Sequence, residues 1–151
     1  MSSLPHDWPQ ISTSVFYDDA SAAIDFLCRA FGFSVRLRID GDAGEVIHSE
    51  LTYGRGGLVM VSSTRARPEP GAIRAVSPRA IDGRNTQALF TYVEDVEAHQ
   101  RRALAAGAVL AQPLETHDYG DDYWTDRTYG VRDPEGHFWW FAERVRSARV
   151  G

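Results

Sequence analysis

Hydrophobic and polar residues alternate in several short segments of the chain and recur with helical spacing in two others. The first alternation, Ile11 to Tyr17, predicts a strand with odd-numbered residues on one face and Ser12, Ser14 and Phe16 on the other. Apolar residues then repeat along one stripe between Asp18 or Asp19, either of which can cap a helix, and Gly32, which can end one. We therefore predict a strand followed by an amphipathic helix.

Three further segments follow the first helix and are separated by glycine-rich turns. They predict strands at Val35 to Ile39, Val46 to Tyr53 and Leu58 to Ser63. Proline and glycine then recur from Arg65 to Thr86, where apolar residues are scattered, so this stretch is expected to be a long connection. Connections of this length usually join two modules or cover a site.

The same order of elements then begins again. Strands are predicted at Ala88 to Val93 and Val109 to Leu114, with a helix between Asp95 and Gly107. The last stretch, Arg127 to Phe141, is a strand, a tight turn and an aromatic strand. Because aromatic side chains bury the most area per residue, we expect the core to be built around this stretch.

The two halves also match in sequence. Asp19 and Asp95 are separated by 76 residues (95 − 19), and Thr52-Tyr53-Gly54 is separated from Thr128-Tyr129-Gly130 by the same interval (128 − 52). The match predicts a duplicated β-α-β-β-β unit. In each unit the single helix must cover one face of a sheet, which leaves the other face uncovered.

The repeat defines the expected architecture. We predict an α+β fold in one domain spanning residues 1–151, made of two βαβββ modules with mixed sheets, whose uncovered faces either curve around something or pack against each other. Module 1 is expected at about 10–63, the connection at about 64–86 and module 2 at about 87–143.

Composition narrows the class of protein. Hydrophobic residues make up 43% of the chain and charged residues 25%, which is typical of a globular protein, and no apolar run is long enough for a membrane span. The N-terminus lacks the residue order of a signal peptide, so a cytoplasmic location is expected. The net charge of −5 disfavours nucleic acid and fits a cationic ligand. Cys28 is the only cysteine, which excludes an internal disulfide.

Three motifs occur in the order that a known superfamily shows. They are Phe16-Tyr17-Asp18-Asp19 before the first helix, Tyr92-Val93-Glu94-Asp95-Val96 before the second, and Val131-Arg132-Asp133-Pro134-Glu135-Gly136-His137 at the closing turn. Over residues 10 to 143 the chain resembles the vicinal oxygen chelate superfamily of glyoxalases, bleomycin resistance proteins and extradiol dioxygenases. The resemblance implies two modules side by side whose sheets form a cup, a site inside the cup and often a dimer.

The resemblance also implies where a metal would be bound. Enzymes of this superfamily commonly hold one divalent metal through His or Glu on the first and last strand of each module. The corresponding residues here are Ser12, Met60 or Val61, Ala88 or Gln87, and Trp140. These side chains do not supply the imidazole and carboxylate donors that such a metal needs. The usual metal site is therefore expected to be absent.

Two other parts of the sequence are candidates for contacting or acting on a ligand. His48 and Glu50 lie two residues apart on a predicted strand and so share a face, where they could act as general acid and base, contact a polar ligand or be purely structural. The stretch His117 to Trp124 could fold over the cup, or its aromatic residues could pack against a dimer partner.

Other histidines and tryptophans have simpler interpretations. His99 is surrounded by polar residues on the second helix and is expected to be exposed, whereas His137 is expected to bond to the backbone. Trp139 and Trp140 must point to opposite faces of their strand, one toward the helix layer and one toward the cup. The metal-position correspondence assigns the cup to Trp140.

We therefore expect a glyoxalase/bleomycin-resistance-like protein that binds a small, partly aromatic organic molecule, for which an antibiotic is one candidate, in a metal-free cup. A homodimer is expected. The residues predicted to contact the ligand are Ser12, Ser14, Phe16, His48, Glu50, Met60, Tyr119, Trp124, Tyr129 and Trp140.

Two alternatives involve catalysis. The first is a lyase, isomerase or dioxygenase that depends on one divalent metal ion held by non-standard ligands, for example His48 and Glu50 with His117. The second is an enzyme without a metal, in which His48 and Glu50 are the candidate catalytic residues.

Overall fold

Two four-stranded sheets, each with one helix, make up the part of the chain that the computed structural model describes, residues 8–66 and 69–148. The expected α+β class is confirmed. Residues 1–7, on which the expectation about a signal peptide rests, lie outside the described residues. Within the described part, no helix has the length and apolar character required to cross a membrane.

Module 1 follows the predicted order of elements. Asp19 caps the helix by accepting a hydrogen bond from the Ala22 amide at 3.0 Å, and Gly32 ends the helical segment with a φ of 87°. The strand order is β1-β4-β3-β2, with β1 and β4 parallel. The elements are β1 (Thr13–Tyr17), α1 (Ala20–Phe26) continued by a π-helical turn (Leu27–Phe31), β2 (Ser34–Asp40), β3 (Val46–Tyr53) and β4 (Gly57–Ser63).

Module 2 repeats this arrangement. Asp95 caps its helix through the Ala98 amide at 2.9 Å, and the strand order is β5-β8-β7-β6, again with one parallel pair, β5 and β8. The connection between the modules contains a short 3-10 turn, Pro78–Ile81. The elements of module 2 are β5 (Ala88–Tyr92), α2 (Val96–Ala105), β6 (Val109–Asp118), β7 (Thr125–Arg132) and β8 (Phe138–Arg146).

The strand registers correct one part of the predicted repeat. Thr13 pairs with Val59 in sheet 1 and Leu89 pairs with Trp139 in sheet 2. The modules are therefore offset by 76 residues at β1 and β5 (89 − 13) but by 80 at β4 and β8 (139 − 59). The longer β6–β7 hairpin accounts for the difference, because β6 has 10 residues and β2 has 7. The two Thr-Tyr-Gly triplets are consequently not equivalent in structure.

The helix-covered sides of the two sheets share one hydrophobic core. Trp139 is fully buried there, and its ring centroid lies 5.4 Å from that of Phe31 and 5.7 Å from that of Phe33, both in module 1. Tyr17 and Trp139 donate hydrogen bonds to the same oxygen of Asp133, at 2.7 and 3.0 Å. The closing stretch of the chain therefore lies in the centre of the core, as predicted.

The turn between β7 and β8 joins the two modules. Glu135 accepts hydrogen bonds from the amides of Asp18 and Asp19 at 2.8 and 2.9 Å, at the start of α1. His137 donates from Nε2 to the carbonyl oxygen of Phe16 at 2.7 Å, which matches its predicted backbone role. The contacts between the sheets thus lie on their helix-covered side and fix how the modules are oriented.

The environment of His99 differs from the prediction. Its exposed fraction is only 9%, because α2 packs against the π-helical turn of module 1. Nε2 donates to the carbonyl oxygen of Phe31 at 2.9 Å, so Nδ1 accepts from the hydroxyl of Tyr129 at 2.6 Å. Burial lowers the pKa of His99, which keeps the ring neutral.

Candidate ligand-binding site

Each sheet has one face that no helix covers, and we call these the open faces. In β1 the alternation follows the prediction, because Val15 and Tyr17 are buried in the core whereas Ser14 and Phe16 point to the other side. In β8 the same alternation places Trp139 in the core and Trp140 on the open face. Most of the residues predicted to contact a ligand lie on these two faces.

Strand registers identify the central row of residues on each open face. In sheet 1, Ser14 pairs with Met60, which pairs with Glu50 on the next strand. In sheet 2, the corresponding row is Phe90, Trp140 and Gly130. Because the strands occupy the same places in the two modules, Trp140 is the structural counterpart of Met60.

A polar cluster occupies the open face of sheet 1. Glu50 is 7% exposed, and its carboxylate lies 3.2 Å from Nε of Arg36 and 3.1 Å from Nε2 of His48. A β-bulge between Val35 and Leu37 allows Arg36 to reach this carboxylate. The guanidinium also lies 5.3 Å from the ring centroid of Trp8. The structure thus brings His48 and Glu50 together, and Arg36 compensates the charge of Glu50.

The geometry of His48 leaves one nitrogen available. Because a carboxylate only accepts hydrogen bonds, Nε2 of His48 is the donor to Glu50, and in the neutral ring Nδ1 is then an acceptor. The His48 side chain is 24% exposed. The pair can therefore accept a hydrogen bond, or a proton, from a molecule on the open face.

The centre of the open face of sheet 2 is an aromatic patch made of Phe90, Phe138 and Trp140. Phe90 is 53% exposed, and the ring centroids of Phe138 and Trp140 lie 5.1 Å apart. Gly130 allows the Phe138 ring to lie across β7, since a Cβ atom at this position would be only 2.7 Å from the ring. The Phe138 and Trp140 rings are inclined to each other by 53°, so the patch offers an aromatic ligand ring faces and edges in two orientations.

A second carboxylate lies at the far end of the open face of sheet 2. Asp126 accepts hydrogen bonds from the hydroxyl of Tyr92 at 2.9 Å and from Nε of Arg144. The Arg144 guanidinium stacks between the rings of Tyr92 and Trp124, 4.9 Å from each centroid. Burial and the bond to Asp126 raise the pKa of Tyr92. This cluster repeats the combination of carboxylate, guanidinium and aromatic ring seen in sheet 1.

The turn between β6 and β7 carries Tyr119 and Trp124, whose ring centroids lie 5.8 Å apart. It is held by a backbone hydrogen bond from the Tyr119 amide to the Trp124 carbonyl at 3.0 Å. Trp124 reaches the open face at Arg144, beyond Asp126, which is roughly 13 Å along β7 from Gly130. Within one chain, this turn therefore lies at the end of the face rather than over the aromatic patch.

Tyr129 does not contribute a wall to the site, which corrects the prediction. It pairs with Phe141 on the helix-covered side, is fully buried, and donates its hydroxyl hydrogen to His99. Burial raises the pKa of Tyr129 well above its usual value. The error follows from strand alternation, because the open-face position beside Trp140 belongs to Gly130.

The residues at the superfamily's metal positions do not fit a metal. Ser12 has a buried Oγ with no hydrogen-bond partner among the described residues, while Gln87 uses its amide to bind β1 at Thr13 and at the carbonyl of Ser14. Met60 and Trp140 complete a set without imidazole or carboxylate. Nor do the described residues contain any cluster of three or more His, Cys, Asp or Glu suited to a metal.

The alternative ligand set is not assembled within one chain. His48 and Glu50 lie on sheet 1, whereas His117 is the strand partner of Asp126 in sheet 2.

Several residues of the two open faces were not predicted from the sequence. Alternation could have identified Phe90, Phe138 and Asp126, but Arg36 and Trp8 could not be found because a bulge and a long-range contact place them.

A cleft separates the edges of β1 and β5 and was not foreseen either. It has a volume of about 1350 Å³ and reaches from Ser12 and Phe90 on the open side to Phe33 and His99 near the helices. The hydrogen bonds of Gln87 to β1 close one end of this cleft. Ser12, whose buried Oγ has no hydrogen-bond partner among the described residues, is one of the residues that line this cleft.

Comparisons with known proteins identify similar chains. The family model described as Glyoxalase/Bleomycin resistance protein/Dioxygenase superfamily matches residues 10–141. The Mycobacterium tuberculosis protein Rv0887c is 34% identical over 142 residues, which cover 94% of this chain and 78% of that protein. The crystal structure of TioX from Micromonospora sp. ML1 is similar with a TM-score of 0.66 and 35% identity, covering 89% of this chain and 98% of TioX.

A second solved structure extends the comparison of folds. A glyoxalase/bleomycin resistance protein/dioxygenase family enzyme from Burkholderia phytofirmans PsJN has a TM-score of 0.60 at 18% identity, covering 89% of this chain and 97% of that chain. At this identity the similarity concerns the fold alone.

Proposed function

Because the chain belongs to the glyoxalase/bleomycin resistance protein/dioxygenase superfamily, we propose that it binds a small, partly aromatic organic molecule without using a metal. The observation that carries the proposal is the aromatic patch, in which Trp140, the residue that the resemblance assigns to the metal position on β8, pairs with Phe90 and adjoins Phe138. Antibiotics are the ligand class we propose to test first, since the family description includes bleomycin resistance proteins.

The open face of sheet 1 would supply the polar half of the site. His48 offers an acceptor nitrogen, and Ser14 and Ser12 add hydroxyl groups on the neighbouring edge strand. The hydroxyl of Ser12 has no partner among the described residues, so a ligand that bonds to it would satisfy a buried polar atom. Apolar contact would come from Met60 and Phe16.

We further propose that the protein acts as a homodimer in which the open faces of two copies combine into cups. The buried contacts through Tyr17, Asp133 and Trp139 join the two sheets within a chain on the helix-covered side. Exposed aromatic residues such as Phe90 and Trp124 are left on the open face of sheet 2. A second chain would cover them, as exposed apolar surface of this kind commonly marks an interface.

A second candidate function is acid–base catalysis without a metal. The observation that favours it is the contact between His48 and Glu50, which would orient the ring and leave Nδ1 toward the open face. This function would need only sheet 1, whereas ligand sequestration depends on the aromatic patch of sheet 2. The two candidates therefore make opposite predictions for variants of the two faces.

The experiment compares Trp140→Ala with His48→Ala. Wild-type protein treated with chelator is titrated calorimetrically with a panel of aromatic antibiotics, and the tightest compound is then tested against both variants. We expect Trp140→Ala to weaken binding by about fivefold, because it removes a stacking contact worth on the order of 1 kcal/mol, and His48→Ala to have a smaller effect. The opposite order would favour acid–base catalysis.

Metal content is tested separately. Protein purified without chelator is analysed for divalent metals, and its thermal unfolding is followed as each metal is added. We expect no stoichiometric metal and no specific stabilisation. One bound equivalent of metal, together with ligand binding that requires it, would overturn the metal-free proposal.

A further inference from the structure

The charge of the two open faces differs from the charge of the whole chain. The net charge of −5 favours a cationic ligand, but both buried carboxylates on the open faces are compensated. Arg36 lies 3.2 Å from Glu50, and Arg144 binds Asp126 in the same way. These carboxylates are therefore not free to attract a cation, since a buried carboxylate with a guanidinium partner is already neutralised.

Arg132 is a cation on the open face of sheet 2 for which the described residues provide no ion-pair partner. It lies on β7 opposite Phe138, and its guanidinium carbon is 5.5 Å from the centroid of the Phe138 ring. Nη1 donates to the carbonyl oxygens of Gly83 and Gly136 at 2.9 and 3.2 Å. Two neutral acceptors and an aromatic ring thus hold the guanidinium in place while leaving its charge uncompensated.

The aromatic patch connects this cation with Trp140. The Phe138 ring lies 5.5 Å from the Arg132 guanidinium carbon and 5.1 Å from the Trp140 ring. An aromatic molecule that stacks on one of these inclined rings and contacts the edge of the other could place a substituent at Arg132, which itself contacts Phe138. The cation would meet that substituent without first losing conformational freedom, because its own hydrogen bonds already fix it.

Other charges on this face lie farther from the patch. Glu115 belongs to the edge strand β6 and pairs with Thr128, one row beyond Gly130 and three strands away from β5. Arg144 and Asp126 lie at the end of the face, beyond that row. Among these charged residues of the open face, Arg132 is the one whose guanidinium contacts the aromatic patch.

From these contacts we propose that the ligand of this protein is a planar aromatic molecule with an anionic group, and that Arg132 binds this group while the aromatic patch stacks on the ring. Aromatic carboxylates, sulfonates and acidic phenols belong to this class. A guanidinium suits carboxylates and sulfonates because it offers paired N–H donors to two oxygens, and it can donate to the single oxygen of a phenolate. The inference rests on the proposed function, since it assumes that the aromatic patch binds the ligand.

The test uses three naphthalene probes that share one ring system and carry an anionic, a neutral or a cationic substituent at the same position: 2-naphthoate, 2-naphthamide and 2-(aminomethyl)naphthalene as its ammonium ion. Binding of each to the wild-type protein is measured by titration calorimetry at low salt. We expect 2-naphthoate to bind about tenfold more tightly than the amide, and the ammonium probe to bind most weakly. This order needs no variant, so it can be measured even if substitutions disturb folding.

Two variants then assign the preference to one side chain. Arg132→Gln should remove the preference for 2-naphthoate and leave 2-naphthamide binding nearly unchanged, while Arg132→Lys should retain part of it. Arg101→Gln, which removes an exposed arginine on α2, is the matched control and should change neither probe.

The outcomes separate the inference from the proposed function. If the amide or the ammonium probe binds as tightly as 2-naphthoate, or if Arg132→Gln keeps the preference, the inference about charge is wrong and aromatic binding stands. If none of the three probes binds at millimolar concentration, both proposals are overturned.

Discussion

Sheets 1 and 2 have the same strand order, yet their open faces differ in chemistry. The central row of sheet 1 contains Ser14, Met60 and Glu50, whereas the corresponding row of sheet 2 contains Phe90, Trp140 and Gly130. On the helix-covered side both sheets are apolar and buried. The comparison indicates that the duplicated fold is maintained by one side of each sheet, so that the other side can vary with function.

The two open faces also share one arrangement of side chains, an arginine that stacks on a tryptophan and pairs with a buried carboxylate. In sheet 1 Arg36 stacks on Trp8 and pairs with Glu50, and in sheet 2 Arg144 stacks on Trp124 and pairs with Asp126. A carboxylate buried in this way needs a partner, because an isolated charge would be costly to remove from water. The acidic residues of the open faces therefore contribute to structure, and the difference between the faces lies in their serine, histidine and aromatic residues.

The largest expected effect distinguishes substitutions of the two tryptophans on opposite sides of β8. Trp139→Ala should lower the free energy of unfolding by about 3–5 kcal/mol, because it leaves a large cavity in the core beside Phe31. Trp140→Ala should lower it by only about 1 kcal/mol, since Trp140 is half-buried on the open face. Urea unfolding of both variants measures the difference.

Ligand binding provides the control for this pair. At a temperature where the Trp139→Ala variant is still folded, this variant should bind aromatic probes as tightly as the wild type does. The Trp140→Ala variant should bind the same probes more weakly. If Trp140→Ala proved the more destabilising substitution, the assignment of the two sides of sheet 2 would be reversed.

An intermediate effect is expected at Gly130, the position where sheet 1 has Glu50. Gly130→Ala would bring a Cβ atom within 2.7 Å of the Phe138 ring, so the ring must move. The free energy of unfolding should therefore fall by about 1–3 kcal/mol. Gly56→Ala is the matched control, because a Cβ atom there meets nothing within 4 Å. Thermal or urea unfolding measures both variants.

The double variant sharpens this test. Phe138→Ala should remove most of the penalty of Gly130→Ala, because the two substitutions act on one contact. Strictly additive penalties would mean that the ring does not depend on this glycine, and the aromatic patch would then need another explanation.

Much of the fold could be predicted because local signals agree with the tertiary structure. Asp19 and Asp95 cap the two helices, and alternation alone places Trp139 and Trp140 on opposite sides of β8. The same rule places His48 beside Glu50. These features depend on neighbours within a few residues, which the sequence contains directly.

The errors arise where distant parts of the chain meet. His99 lies among polar residues in sequence but packs under the π-helical turn of the other module. Tyr129 was assigned to the site from its residue type, although its register with Phe141 places it in the core. Arg36 reaches Glu50 only through a β-bulge, for which local sequence gave no signal.

The smallest expected effect tests the helix-covered side of sheet 2 through the pH dependence of stability. Burial lowers the pKa of His99 in the folded protein, so below about pH 6.5, the ordinary pKa of histidine, the unfolded chain binds a proton more readily than the folded one. Stability contributed by the neutral ring is therefore fully present above this pH and is lost as the pH falls toward the folded pKa.

Urea unfolding of the wild type and His99→Gln between pH 7.5 and pH 5 measures this loss. We expect the stability of His99→Gln to fall less steeply with acidification than that of the wild type. Probe binding at pH 7.5 should be the same for wild type and His99→Gln, since His99 and Tyr129 lie on the core side of sheet 2. An unchanged slope in His99→Gln would place the acid-sensitive group elsewhere. A loss of probe binding would mean that the helix-covered side also belongs to the ligand site, and the contrast between the two sides of sheet 2 would fail.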